Sequence, residues 1–234
     1  MIIPVLMYHS VEPVSEDYLT VSTDVFEEHL RLIKDRFTAI SAAAGAQAVK
    51  GAVSAPENPI IITFDDGFTS VYQHAVPLLS RYGLGATFFI VGSAIGGNNL
   101  WDHKAYRILP HMDCGEILDL HKAGYEIGSH TYTHQRFTKL SDEMKLRELD
   151  ENDRVLAEIT GRTPQILAYP YGGVDEISAR LCRERYAACL ATVHCGVFHW
   201  EENMGMIRRI YVSPDDSATQ LEKKITDFMN GVYQ

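Results

Sequence analysis

Along nearly the whole chain, apolar runs of strand length alternate with stretches whose apolar residues recur at helical spacing. Residues 2–8 predict the first strand. Asp24 and Glu27 have capping-box spacing, and Phe26, Leu30 and Ile33 follow on one helical face. The β-branched run 60–64 predicts a buried strand, 71–79 a helix, and 86–91 the next strand. Ile117, Leu118 and His121 suggest a helix ended by Gly124, before a strand at 125–128. Ser141 caps a long predicted helix carrying Leu149, Leu156 and Ile159. A strand at 165–169, a helix at 175–185, a strand at 187–192 and a short strand at 209–212 follow. Ser217 opens the last helix, with Leu221, Ile225 and Phe228 on one face. The Ala- and Gly-rich stretch 42–59 predicts a loose connection. The longest irregular connection, 93–113, holds Trp101, which is placed to line a pocket.

Strands that alternate with helices imply a parallel sheet, because each parallel return needs a crossover. Continuous apolar strands fit a sheet covered on both faces. Seven or eight such units in 234 residues, with no repeat and no clear linker, predict an α/β fold of the β/α-barrel type. A single domain over residues 1–234 is expected.

Composition is that of an ordinary globular chain, 46% hydrophobic and 22% charged. The net charge of -10 repels phosphate backbones and anionic lipid, which argues against nucleic-acid and membrane-surface partners. Cys114, Cys182, Cys189 and Cys195 form no CxxC pair, so a thiolate zinc site is not expected and buried reduced thiols are. The N-terminus reads as neither signal peptide nor spanning helix, and no later stretch holds 18 apolar residues. A cytoplasmic protein without membrane insertion is the expectation; the chain carries no indication of oligomeric state.

In a barrel, functional residues gather at the C-terminal ends of the strands. The first strand ends at His9, the 60–64 strand runs into Asp65-Asp66-Gly67, and the 125–128 strand runs toward His130 with His134 four residues on. The 165–169 strand leads into Pro170-Tyr171-Gly172. Asp-Asp-Gly is also good turn chemistry, which is compatible with a site. Two His four apart are expected on one face of a helical turn, converging on one ion. With one Asp they make a three-ligand set that leaves room for water. Two His and one carboxylate also describe an oxygenase iron site, but the second Asp beside the first suits hydrolysis, where water must lose a proton.

Thr63-Phe64-Asp65-Asp66-Gly67 and Ser129-His130-Thr131-Tyr132-Thr133-His134 resemble the first two motifs of the polysaccharide deacetylases, the nodulation-factor deacetylase homology group. Tyr169-Pro170-Tyr171-Gly172 resembles the core of the third. The resemblance implies a distorted (β/α)7 barrel that removes N-acetyl groups from an N-acetylated sugar. It implies Asp66, His130 and His134 as ligands of a divalent metal, zinc by preference. Asp65 would be the general base and the Tyr171 amide an oxyanion donor.

The sequence departs from that pattern at two places. The third motif's usual Arg is Ala168, and a late Leu-x-His is absent; the corresponding strand holds Arg209-Ile210-Tyr211-Val212. Met7-Tyr8-His9 resembles instead the branch acting on exported poly-N-acetylglucosamine, in which motif order is circularly shifted. His9 is therefore the expected general acid, with His194 and His199 as rivals near Trp200. Arg208 and Arg209 are candidates to orient Asp65 in place of the missing Arg, against the alternative of surface ion pairs. Cleavage of a non-sugar amide, or a non-catalytic sugar-binding module on the same fold, are the competing readings. His29, His74, His103, His111 and His121 are expected in solvent or packing roles.

Overall fold

The structure, a computed structural model, describes residues 1–99, 101, 107–192 and 196–233. The chain begins with strand β1 (Val5–Tyr8), then a small parallel pair, β2 (Ser10–Glu12) and β3 (Thr20–Ser22). Helix α1 (Thr23–Arg36) leads to the two-residue strand β4 (Thr38–Ala39), helix α2 (Ala42–Val49) and strand β5 (Pro59–Phe64). Helix α3 (Val76–Tyr82), strand β6 (Thr87–Ile90), helix α4 (Cys114–Lys122) and strand β7 (Glu126–Ser129) follow. The chain ends with α5 (Asp142–Thr160), β8 (Ile166–Ala168), α6 (Glu176–Arg183), β9 (Ala188–Leu190), β10 (Ile210–Tyr211) and α7 (Ala218–Met229).

The main sheet is parallel throughout, in the order β10-β1-β5-β6-β7-β8-β9, with β4 paired to β5. It curls until the Ala191 and Ile207 N–H groups donate to the Ile207 and Cys189 carbonyls, which ties β9 to the segment entering β10. The fold is thus the expected distorted (β/α)7 barrel.

Strand alternation divides the core. Ile60, Ile62 and Phe64 of β5 pack outward with Tyr8, Phe26 and Phe88 under the helices. Ile61 faces inward with Val5, Phe89, Ile166, Leu190 and Ile207. Following the inward face of β5 upward, Thr63 and Asp65 succeed Ile61, as His9 succeeds Val5 and Met7 along β1. Period-two geometry thereby carries an apolar interior into a polar rim. The interior is tight: a Cβ on Gly128 would lie 2.5 Å from the Phe89 ring.

Several local expectations need correction. Stretch 42–59 is not merely a loose connection, because α2 forms there. Ser41 caps it, and the half-buried Glu126 carboxylate accepts from the Ala42 and Ala43 N–H groups, so a partner from a distant strand completes a cap that local sequence only half supplies. The small residues let α2 sit close under the barrel; a Cβ on Gly45 would meet Ile61 at 3.0 Å and Trp200 at 3.4 Å. Trp200 is therefore core at the N-terminal end. Helix α1 is capped by Ser22, whose side chain accepts from Val25 N, rather than by an Asp24–Glu27 box. The predicted helix 71–79 opens with a π-turn, Val71–Ala75, before α3. Cys182 and Cys189 are buried free thiols as expected, but Cys114 is exposed; Cys195 lies outside the described residues. No helix among the described residues is long and apolar enough to cross a membrane.

Candidate active site

His9 follows β1, Asp65 and Asp66 follow β5, His130 follows β7 and Tyr171 follows β8. All of them line one cavity of about 250 Å³ together with His134, Met7, Leu19 and Tyr211. Three of these residues face one point. Asp66 Oδ1 lies 3.4 Å from His130 Nε2 and 3.2 Å from His134 Nε2, and the three ligand atoms are mutually within 4.8 Å. All three residues are buried. Asp66 Oδ1 nevertheless has no hydrogen bond of acceptable geometry. A buried carboxylate oxygen without a hydrogen bond, faced by two imidazole nitrogens, is poorly compensated unless a cation sits among them. The His130 Nδ1–H donates to the Ala168 carbonyl at 2.8 Å, which leaves the Nε2 lone pair turned to the site. One carboxylate oxygen and two imidazole nitrogens fit a divalent ion such as zinc.

The histidine pair does not lie on a helical turn. Thr131 and His134 have φ of 62° and 56°, so the segment is a loop that folds back on itself. Five non-glycine residues among those described have positive φ, and four of them, Asp66, Thr131, His134 and Tyr171, belong to this site. Each such conformation costs about 1–3 kcal/mol, so packing elsewhere must hold the rim in shape.

Asp65 is held differently from Asp66. Arg209, fully buried, donates from Nη1 to Asp65 Oδ1 and from Nη2 to Oδ2, both at 2.7 Å. Its Nε donates to the Ala191 carbonyl at 2.7 Å, and Nη1 also reaches Thr63 Oγ1 at 3.2 Å. Arg209, immediately before β10, thus orients Asp65, while Ala168 occupies the expected position. Arg208 turns instead to the Tyr233 carbonyl and the Phe198 ring. Burial by itself raises the Asp65 carboxyl, but the charge and hydrogen bonds of Arg209, together with the nearby His130 and His9, outweigh it and keep the group below its ordinary value. Burial pushes the His9 imidazole down, against the upward pull of Asp66 and Asp65.

Of the rival histidines, His199 is exposed and bridges Ile2, before the start of β1 and hence at the opposite end of the barrel. His194 lies outside the described residues, as does His103. Trp101 stacks on His134, with ring centroids 4.4 Å apart. His111, expected in a bland role, is buried with its ring edge to Trp101 and Phe68; burial pushes it down to about 4. His29 is a packing residue, bonded to Tyr8 and to the Asp216 carbonyl.

Sequence reasoning missed the support behind the His loop. Buried Glu148 and Asn152 of α5 bond Thr133 and Ser129, respectively. Their signal was available, since polar residues 148, 152 and 153 interrupt the buried stripe that Leu149 and Leu156 define.

Residues 52–185 match the sequence profile described as Polysaccharide deacetylase. YxkH of Bacillus subtilis, which carries a polysaccharide deacetylase name, is 27% identical over 218 residues, covering 93% of this chain and 74% of its own length. A peptidoglycan-N-acetylmuramic acid deacetylase of B. subtilis is 28% identical over 72% of this chain, which spans 36% of that protein. A poly-beta-1,6-N-acetyl-D-glucosamine N-deacetylase of Staphylococcus aureus is 24% identical over 67% of this chain, which spans 55% of that protein. Among solved structures, a Streptococcus pyogenes deacetylase in complex with acetate superposes with a TM-score of 0.82 at 20% identity, covering 96% of this chain and 98% of that one. At that identity the likeness speaks to fold.

Proposed function

The chain belongs to the polysaccharide deacetylase family, and from that premise we propose that residues 1–234 act as one catalytic domain that removes N-acetyl groups from an N-acetylated sugar or polysaccharide precursor by metal-dependent hydrolysis. The observation that carries the reading is the buried Asp66–His130–His134 cluster beside an aspartate that does not join it. Those three residues would hold a divalent ion, zinc by preference, which would supply Lewis acidity and bring the pKa of water down toward neutrality.

The chain's own groups do the rest. Asp65, aimed by Arg209 and ionised at neutral pH, takes the proton of the attacking water as its oxygen bonds to the acetyl carbon. The Tyr171 amide donates to the oxyanion that forms; one such donor is typically worth about 3–4 kcal/mol. His9, which lines the same cavity, gives a proton to the sugar nitrogen as the C–N bond breaks. Acetate and a free amine result.

The test is acetate release from N-acetylglucosamine oligomers by the chelated and the zinc-reloaded protein. Release only after reloading supports the proposal. Loss of acetyl groups from non-sugar amides alone moves the substrate class, and tight oligomer binding without any release leaves a sugar-binding module.

A further inference from the structure

The loop from Ser129 to His134 carries two of the three residues assigned above to a metal, and two of its residues have left-handed backbone. Nothing local favours that shape, since neither Thr131 nor His134 is a glycine. What opposes its relaxation comes from α5. The Glu148 carboxylate, 8% exposed, accepts from the Thr133 N–H through Oε2 at 2.7 Å and from the Thr133 hydroxyl through Oε1. One turn further along the same face, fully buried Asn152 donates from Nδ2 to Ser129 Oγ at 2.8 Å and to the Ile90 carbonyl at 3.1 Å. Glu148 therefore grips the residue before His134, and Asn152 the residue before His130. A second strip of backbone completes the cradle: Ser93 N–H donates to the Tyr132 carbonyl at 2.9 Å.

We infer that Glu148 is a positioning residue for metal binding: by clamping both donors of Thr133 it holds His134 where its Nε2 faces Asp66. The geometry requires two polar atoms at the tip of a side chain of this length. Two oxygens at the end of a side chain of this length meet a backbone N–H and a hydroxyl of one residue at once, so the peptide plane entering His134 is held against rotation. Asp, one methylene shorter, does not reach both donors. Gln keeps an acceptor for the N–H and offers its amide to the hydroxyl oxygen. Such support behind a ligand commonly governs affinity by about 10- to 100-fold.

This inference rests on Asp66, His130 and His134 holding a metal, and the test separates the two claims. Zinc ions are titrated into the chelator-stripped protein against a chromophoric chelator, with melting of the stripped protein followed in parallel. Wild type, Glu148→Ala, Glu148→Gln and Leu156→Ala are compared, the last as a variant of α5 whose side chain packs in the apolar core. Glu148→Ala is expected to weaken zinc about 10- to 100-fold, Glu148→Gln to recover most of that, and Leu156→Ala to lower the melting temperature at unchanged affinity. If Glu148→Ala does not fold, Thr133→Val replaces it and is expected to weaken zinc by a smaller factor. Folded Glu148→Ala, or Thr133→Val in its stead, binding zinc as wild type does overturns the inference and leaves the metal site standing. A wild type that takes up no zinc overturns both.

Discussion

The Arg209 guanidinium meets the Asp65 carboxylate in two parallel hydrogen bonds of 2.7 Å across 144 positions of sequence, with both side chains buried. A planar fork on a planar carboxylate fixes the direction of Asp65 as well as its charge. The neighbouring Asp66 turns the other way, to the histidines. Adjacent carboxylates are thereby given separate partners.

Removing the Arg209 fork should be felt in stability and in pH dependence. A carboxylate whose folded value is depressed adds stability above its unfolded value of about 3.9, and loses it as pH falls through the folded value. Arg209→Met leaves a buried carboxylate unpaired and is expected to cost about 3–5 kcal/mol at pH 7. The deficit narrows as pH falls and closes only once pH has dropped through the depressed folded value of Asp65, where the carboxyl is protonated in both the folded and the unfolded chain. In denaturant melts across pH this appears as converging curves. The acid limb of the pH–rate profile moves to higher pH, and an unmoved limb would remove Asp65 from the role of base.

Asp65→Asn is expected to keep a full metal equivalent and lose turnover by about 10²–10⁴-fold, the usual range for a lost general base. Metal analysis alongside single-turnover kinetics checks it. A variant that turns over normally rejects the assignment.

Asp66→Ala and His134→Ala should each lose metal and activity together, because a three-ligand site has no spare donor. Elemental analysis after gel filtration is the measurement. Stoichiometric metal in both variants means that the ion sits elsewhere.

His9→Gln is expected to lower kcat by about 10²–10⁴-fold at unchanged metal content, and His199→Ala to leave kcat alone, since His199 lies at the other end of the barrel. Substrates with better leaving groups should lose less in His9→Gln, because they need the proton less. Equal losses across leaving groups would argue that His9 does not supply it.

Gly172→Ala would place a Cβ 1.9 Å from Thr192 Cγ2 at a residue with φ of 62°. The expected result is a loss of about 1–3 kcal/mol, with Tyr171 displaced and kcat reduced. Thermal melting and kinetics test both parts. A stable, fully active variant would mean that the Pro170–Gly172 turn tolerates a shift.

The sequence alone determined the alternation of strands and helices and the residues that end the strands, because periodicity and capping are properties of neighbours along the chain. It also carried the Asp-Asp and His-x-x-x-His patterns, whose residue types name a chemistry wherever they lie. Other features were decided only once the sheet had curled. Arg209 reaches Asp65 because β10 closes beside β1; Glu126 caps α2 from another strand; Glu148 holds the loop before His134 across a helix–loop contact. No local pattern marks such partners, because the distance between them in space depends on barrel closure rather than on their separation in the chain. The shape of the His loop belongs to the same class. Its left-handed residues run against local preference, and only contacts made by the folded whole can hold them there.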